Sequence, residues 1–259
     1  MDISKFSLEG KVALITGGCM GIGNAIAKTF ADAGADVVIT CRGREPTHLE
    51  KAAEEVRASG RKCEGIPSHV AKIEDSKNLV ERVIAEFGKI DILVNNAGAN
   101  PDMKPLMDIE EWVWDVIMSV NMKGTFFLSQ LVAREMRKTG GGNIISLSSF
   151  TGVKPDPSKE LGFYAVSKSG VMALTRVMAH EWGQYNIRAN AIAPGWIWTR
   201  LAAPMLKLPG KEEERTKNTS LGRLGVPEDI TGAAIFLASD ASSYITGDTI
   251  FIEGGGSLF

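Results

Sequence analysis

The sequence predicts a single α/β domain in which a parallel sheet is covered by helices on both faces. Three observations lead there. Short β-branched runs alternate with longer amphipathic stretches almost from end to end, the pattern left by successive β-α-β units. A glycine-rich turn, Gly17-Gly18-Cys19-Met20-Gly21-Ile22-Gly23, stands between the first such run and the first amphipathic stretch. No Pro- or Ser-rich linker, internal repeat or composition break divides the 259 residues, and one large domain accommodates that length.

The elements follow in order. Residues 12–15 (Val-Ala-Leu-Ile) read as a buried strand, and 22–33 carry helical periodicity. Residues 37–40 (Val-Val-Ile-Thr) are a second strand, followed by helical patterns over 50–59 and 74–87. Residues 92–94, 143–147, 187–192 and 249–252 are further β-branched strands, separated by helical stretches at 110–138, 164–182 and 227–238. The segment 199–220 stands apart. It mixes Leu201, Met205 and Leu206 with the charge run Lys211-Glu-Glu-Glu-Arg215, and reads either as a solvated surface excursion or as a mobile lid over a site.

Composition excludes several classes. Twenty-nine Lys plus Arg against 31 Asp plus Glu give a net charge of -2, which leaves no electrostatic footprint for nucleic acid. The N-terminus lacks the charged-then-apolar pattern of a signal peptide, and no apolar run of bilayer-spanning length is evident, so a cytoplasmic protein without membrane attachment is expected. Cys19, Cys41 and Cys63 lack ligand spacing and read as free thiols in a reducing compartment. His48, His69 and His180 are scattered, so no metal site is expected.

Two local patterns carry chemistry. The glycine-rich turn joins a strand to a helix, where glycines permit close backbone approach and the helix N-terminus favours a pyrophosphate. The following strand ends in Cys41-Arg42-Gly43-Arg44, with no carboxylate for a free ribose 2′-hydroxyl. Arg42 is placed to meet a 2′-phosphate, which favours NADP and leaves NAD possible; solvated surface charge is the plainer account of both arginines. In Tyr164-Ala-Val-Ser-Lys168 a phenol and an ammonium share one helical face. A neighbouring positive charge lowers a phenol's pKa, so the pair reads as a candidate general acid or base.

With the turn at 17–23, Asn95-Asn-Ala-Gly98 after the strand at 92–94, Ser149 after that at 143–147, Tyr164 with Lys168, Asn121 in the long helix and Pro194-Gly195-Trp-Ile-Trp-Thr199 after the strand at 187–192, the chain resembles the short-chain dehydrogenase/reductase family over nearly its whole length. The resemblance implies a Rossmann fold with a seven-stranded, doubly wound parallel sheet spanning 1–259 and a substrate loop at about 196–220. It implies an oxidoreductase moving a hydride between NADP(H) and a ketone, aldehyde or secondary alcohol, with Tyr164 as acid/base. Lys168 would support Tyr164 and bond the nicotinamide ribose, Ser149 would hold the substrate oxygen, and Asn121 would support a relay water. Ser148 competes for the serine role, but Ser149-Phe-Thr-Gly152 matches the family's Ser-x-x-Gly pattern. The implied cofactor contacts are Gly17, Met20, Gly21, Ile22, Gly23 and Arg42, then His69, Val70, Asn96 and Gly98, then Tyr164, Lys168, Pro194, Gly195, Ile197 and Thr199.

Two departures bear on the cofactor. His69-Val70 stands where many members carry Asp-Val at the adenine, and Met20 where many NADP-preferring members carry a second basic residue. Carbonyl reductases, 3-oxoacyl-carrier-protein reductases and gluconate 5-dehydrogenases are similar to comparable degrees. Phe150, Phe163, Trp196, Trp198, Leu201 and Met205 suggest a medium-sized apolar substrate, ordinary packing being the alternative. Lys154, Lys159 or Lys207 would meet an anionic one, and the connection 149–164, with Pro155, Pro157 and Glu160, is expected to shape the mouth. An NAD-dependent alcohol or polyol dehydrogenase, a non-catalytic nucleotide-binding regulator and a sugar-nucleotide epimerase remain alternatives. Members commonly form homotetramers, here expected through the helices at 110–138 and 164–182.

Overall fold

The computed structural model describes residues 3–42, 46–156, 158 and 161–258. Seven strands form its sheet: β1 (Val12–Thr16), β2 (Asp36–Cys41), β3 (Cys63–Pro67), β4 (Ile92–Asn95), β5 (Gly142–Leu147), β6 (Ile187–Pro194) and β7 (Thr249–Ile252). All neighbouring pairs are parallel, in the order β3-β2-β1-β4-β5-β6-β7. β1 and β4 are every residue buried, as expected of strands covered on both faces. The strand order reverses between β1 and β4, and at such a switch point the crevice beyond the carboxyl ends of the strands is where ligands bind.

The α-helices among the described residues are α1 (Gly21–Asp32), α2 (Pro46–Arg57), α3 (Ile73–Phe87), α4 (Glu111–Ile117), α5 (Thr125–Lys138), α6 (Gly162–Trp182), α7 (Ala203–Leu206), α8 (Lys211–Lys217) and α9 (Glu228–Ala238). One apolar cluster joins α1, α2 and α9 to one face of the sheet through Ile26, Phe30, Val56 and Ile230. A second joins α3, α5 and α6 to the other face through Leu79, Val83, Leu128 and Met178. This is the doubly wound arrangement.

The structure departs from the sequence pattern at four places. β3, Cys-Glu-Gly-Ile-Pro, is too polar for its periodicity to stand out, with only Cys63 and Ile66 buried. The helical stretch over 110–138 is not uniform: a π-helical turn, Met118–Gly124, separates α4 from α5. Counted through that turn, the helix Glu111–Lys138 is 28 residues and holds an 18-residue stretch with a mean hydropathy of 1.2, which corrects the expectation that no run reaches spanning length and composition. Val113, Ile117, Leu128, Val132 and Met136 of that run are buried, as in a core helix. Finally, 199–220 is ordered into α7 and α8, with Met205, Leu206 and Arg215 buried. Arg44, Pro157, Lys159 and Glu160 lie outside the described residues.

Candidate active site

Thr16, the last residue of β1, fastens two loops together at the switch point. Its hydroxyl donates to the Val94 carbonyl at 3.3 Å and accepts from the backbone N–H groups of Asn96 and Ala97, each at 3.0 Å. Asn96 answers from its side chain, whose Nδ2 donates to the carbonyls of Thr16 (2.9 Å) and Gly17 (3.1 Å). The glycine-rich turn is thus tied to the loop after β4.

Gly17 holds φ at +65° and Gly21 at +56°, a conformation other L residues rarely adopt. A Cβ on Gly17 would lie 2.8 Å from Asn96 Nδ2, and one on Gly23 would strike the same nitrogen and the Gly17 carbonyl. No side chain caps the N-terminus of α1. A close-packed glycine turn and an uncapped helix start fit a dinucleotide's pyrophosphate.

Further along the groove, Met20 and Arg42 are exposed. The His69 N–H donates to Asp75 Oδ2 at 3.1 Å, and its Nδ1 accepts from the Ala71 N–H at 3.2 Å, so that ring nitrogen serves the turn rather than an adenine. Val70 is buried. These four do not line the cavity described next. Cys19 and Cys41 hydrogen bond to each other at this end, and that bond, then burial, holds the Cys19 thiol above its ordinary pKa. Burial pushes Cys63 up to about 12. All three are free thiols, as expected.

The cavity at the carboxyl ends of β4, β5 and β6 encloses about 850 Å³, its open mouth included. Ser149, Tyr164 and Lys168 meet there with Ile22, Asn96 and Gly98 on one side and Pro194, Gly195, Ile197 and Thr199 on another. Ser149 caps a short 3-10 turn, Phe150–Gly152: its Oγ accepts from the Thr151 N–H (3.2 Å) and hydroxyl (2.9 Å). With its lone pairs so used, the Ser149 proton is left to donate. Ser148 also faces the cavity, but its hydroxyl is committed to the Lys168 carbonyl at 2.8 Å.

Tyr164 and Lys168 lie on the first turns of α6, one turn apart. The Lys168 ammonium donates to the Leu147 carbonyl at 2.7 Å and stands 5.6 Å from the Tyr164 ring centroid. Burial pushes the Tyr164 phenol above its ordinary value and the Lys168 ammonium down to about 8. The expected lowering of the phenol by Lys168 is thus corrected, because removing the phenolate from water outweighs the cation here.

Asn121 comes from the π-helical turn and is buried. Its Oδ1 accepts from the Ala99 N–H at 2.8 Å, while Nδ2 donates to the Ala99 carbonyl (3.1 Å) and to Ser167 Oγ (3.0 Å). A Cβ on Gly98 would come 3.6 Å from Lys168 Nζ and 3.7 Å from Asn121 Oδ1, so Asn121 backs the loop that faces the ammonium. π turns recur at functional sites, because one added residue per turn redirects a side chain.

Of the residues expected around a substrate, Phe150, Trp196, Leu201 and Met205 line the cavity. Phe163 instead stacks on Trp114, with ring centroids 4.3 Å apart, and Trp198 does not line it either. Lys154 donates to the Gly256 carbonyl at 3.2 Å, Lys207 is exposed away from the cavity, and Lys159 lies outside the described residues. Met103, Leu161 and Thr151 line it without a sequence signal. Thr16 carried one, as the polar residue that opens the glycine turn. Among the described residues no group of His, Cys, Asp and Glu has the arrangement of a metal site.

Known proteins match the chain over nearly its whole length. The family model described as enoyl-(acyl carrier protein) reductase matches residues 17–257. A 2-dehydro-3-deoxy-D-gluconate 5-dehydrogenase of Dickeya dadantii is 41% identical over 259 residues, covering 98% of each chain. The dehydrogenase/reductase SDR family member 4 of Caenorhabditis elegans is 41% identical over 252 residues and 95% of each chain. A gluconate 5-dehydrogenase from Burkholderia cenocepacia J2315, solved in complex with NADP and tartrate, superposes with a TM-score of 0.94 at 36% identity across 100% of both chains.

Proposed function

The chain belongs to the short-chain dehydrogenase/reductase family, and from that premise we propose that it reduces medium-sized, largely apolar ketones or aldehydes with NADPH. It is an oxidoreductase that transfers a hydride between a nicotinamide cofactor and a carbonyl or CH-OH carbon. The lining of the cavity carries the substrate reading. Ser149, Tyr164 and Lys168 face walls built by Met103, Phe150, Leu161, Trp196, Leu201 and Met205, and among the described residues lining it Lys168 is the one cation. Among those described residues an anionic sugar acid finds no second cation to pair with its carboxylate. A polyol dehydrogenase is the second reading, favoured by the names of the gluconate-related relatives.

Bound NADPH supplies the hydride, and the residues around it govern the oxygen. The Tyr164 hydroxyl donates the proton as negative charge develops on the substrate oxygen. Ser149 donates its oriented O–H to the same oxygen, and Lys168 stabilises the phenolate that Tyr164 leaves behind while reaching the nicotinamide ribose. Asn121 is a positioning residue that fixes the Ala99 loop and Ser167, and supports the relay water behind Lys168. Gly17, Met20, Gly21, Ile22 and Gly23 cradle the pyrophosphate and adenosine side, Arg42 takes the 2′-phosphate, and His69 and Val70 flank the adenine. Asn96 and Gly98 line the adenine-ribose side, and Pro194, Gly195, Ile197 and Thr199 shape the nicotinamide end.

The same reading assigns residues 1–259 to one domain, with 196–220 as the substrate loop, in a cytoplasmic homotetramer. Trp112 on α4 and Val166 and Val177 on α6, each about half exposed, support association through those helices.

The test is cofactor oxidation by the purified protein with NADPH or NADH against ketones, sugars and acyl thioesters. Apolar ketones with NADPH are expected to turn over, with kcat lower by about 10²- to 10⁴-fold in Tyr164→Phe. In Arg42→Ala the Kd for NADPH is expected to rise about tenfold with NADH little affected. Tighter NADH binding that ignores Arg42→Ala, or full turnover in Tyr164→Phe, would refute the corresponding assignment.

A further inference from the structure

Arg215 belongs to the charge run on α8, yet its side chain is only 2% exposed while Glu212, Glu213 and Lys217 stand in solvent. A solvated run does not account for a buried guanidinium. Its Nη2 donates to Asp156 Oδ1 at 2.9 Å, and the Asp156 side chain is 1% exposed. The guanidinium carbon lies 4.7 Å from the Trp196 ring centroid, and Nη2 lies 3.9 Å from Met205 Sδ. Trp196 and Met205 line the catalytic cavity, and Asp156 lies in the loop that follows Phe150 and Thr151 on another wall. One guanidinium therefore ties two residues of that wall, Trp196 and Met205, to the loop that follows a third stretch of it.

Stability is a poor account of the arrangement. Asp156 Oδ1 also accepts from the Ser158 N–H and hydroxyl, while Asp156 Oδ2 and Arg215 Nε are buried without a partner. A buried ion pair with an unsatisfied atom on each side stabilises less than apolar side chains of similar volume would. Direction is what the pair adds. A planar fork bonded at one edge and stacked on an indole fixes where that indole lies.

We propose that Asp156 and Arg215 are positioning residues that set the width of the substrate cavity through Trp196 and Met205, and so decide which carbonyl substituents enter. The inference rests on the reductase reading of that cavity.

Two variants separate positioning from packing. Asp156→Asn with Arg215→Met removes both charges at nearly unchanged volume; Arg215→Lys keeps the charge and loses the planar stack. Each is assayed by NADPH oxidation with acetone and with propiophenone. Expected are an unchanged kcat and KM for acetone and a change of about tenfold in KM for propiophenone. Either variant suffices if the other fails to fold. Discrimination between the two ketones that stays at the wild-type value in the folded variants overturns the inference alone. Wild-type protein inactive toward both ketones overturns the cavity reading, and the inference with it.

Discussion

Lys168 bonds the Leu147 carbonyl rather than the Tyr164 hydroxyl, which anchors α6 to the end of β5 and leaves the ammonium beside the phenol ring at 5.6 Å. The anchor fixes the ammonium at the cavity floor. Burial then moves the two groups in opposite directions, the phenol up and the ammonium down to about 8.

A phenol held above its ordinary value is fully protonated at neutral pH, which suits proton donation and therefore reduction. As pH rises through about 8, Lys168 loses the charge that stabilises the phenolate product. Ketone reduction is expected to be flat below that pH and to fall above it, while alcohol oxidation, which needs the phenolate beside a charged ammonium, rises toward that pH and levels off above it. Steady-state rates in both directions across this range check it. Reduction that climbs through pH 8 would sink the assignment.

Lys168 should also limit stability. Its folded pKa of about 8 lies below the unfolded value near 10.4, so between the two the unfolded chain holds a proton that the folded one has released. Stability from this group is therefore least at neutral pH and rises with pH across that window. The charged form costs about 3 kcal/mol at neutrality, and Lys168→Met recovers part of it, since the Leu147 carbonyl loses its donor at about 1 kcal/mol. Urea unfolding without added NADPH is expected to show a variant about 2 kcal/mol more stable at pH 7, an advantage shrinking toward pH 10, with reductase activity lost. A variant less stable than wild type at pH 7 refutes the account.

The site was legible where chemistry depends on short spacing, and obscure where it depends on tertiary approach. Tyr164 and Lys168 share a helix, and Gly17, Gly21 and Gly23 share a turn, so their proximity follows from local geometry. The strands announced themselves through β-branched runs, β3 excepted, because Glu64 and Gly65 break the pattern. Asn121 could be singled out only by resemblance: helical periodicity says nothing of a π turn, which fixes where its amide points. Arg215 gave the opposite signal to its environment, since a Lys-Glu-Glu-Glu-Arg run reads as solvated until Asp156, 59 positions away, folds against it. The direction of the Tyr164 shift was missed for a related reason, because burial of the phenol is set by walls distant in sequence.

Asn121 gives the sharpest test of how the π turn serves the site. Its buried amide satisfies both backbone groups of the half-buried Ala99 and bonds the buried Ser167 hydroxyl. Asn121→Ala strands the Ala99 N–H and carbonyl, a loss of about 2 to 4 kcal/mol, and frees the loop whose Gly98 faces Lys168. Asn121→Asp keeps the acceptor for the Ala99 N–H and loses both donations from the amide nitrogen, so it should be intermediate in Tm. If Asn121 acts by positioning, both variants lower kcat while the KM for the ketone changes little, because the apolar walls at Trp196 and Met205 are untouched. Steady-state kinetics beside thermal denaturation separates the outcomes. A variant that loses stability yet retains wild-type kcat at a temperature where it is fully folded would reduce Asn121 to a structural role.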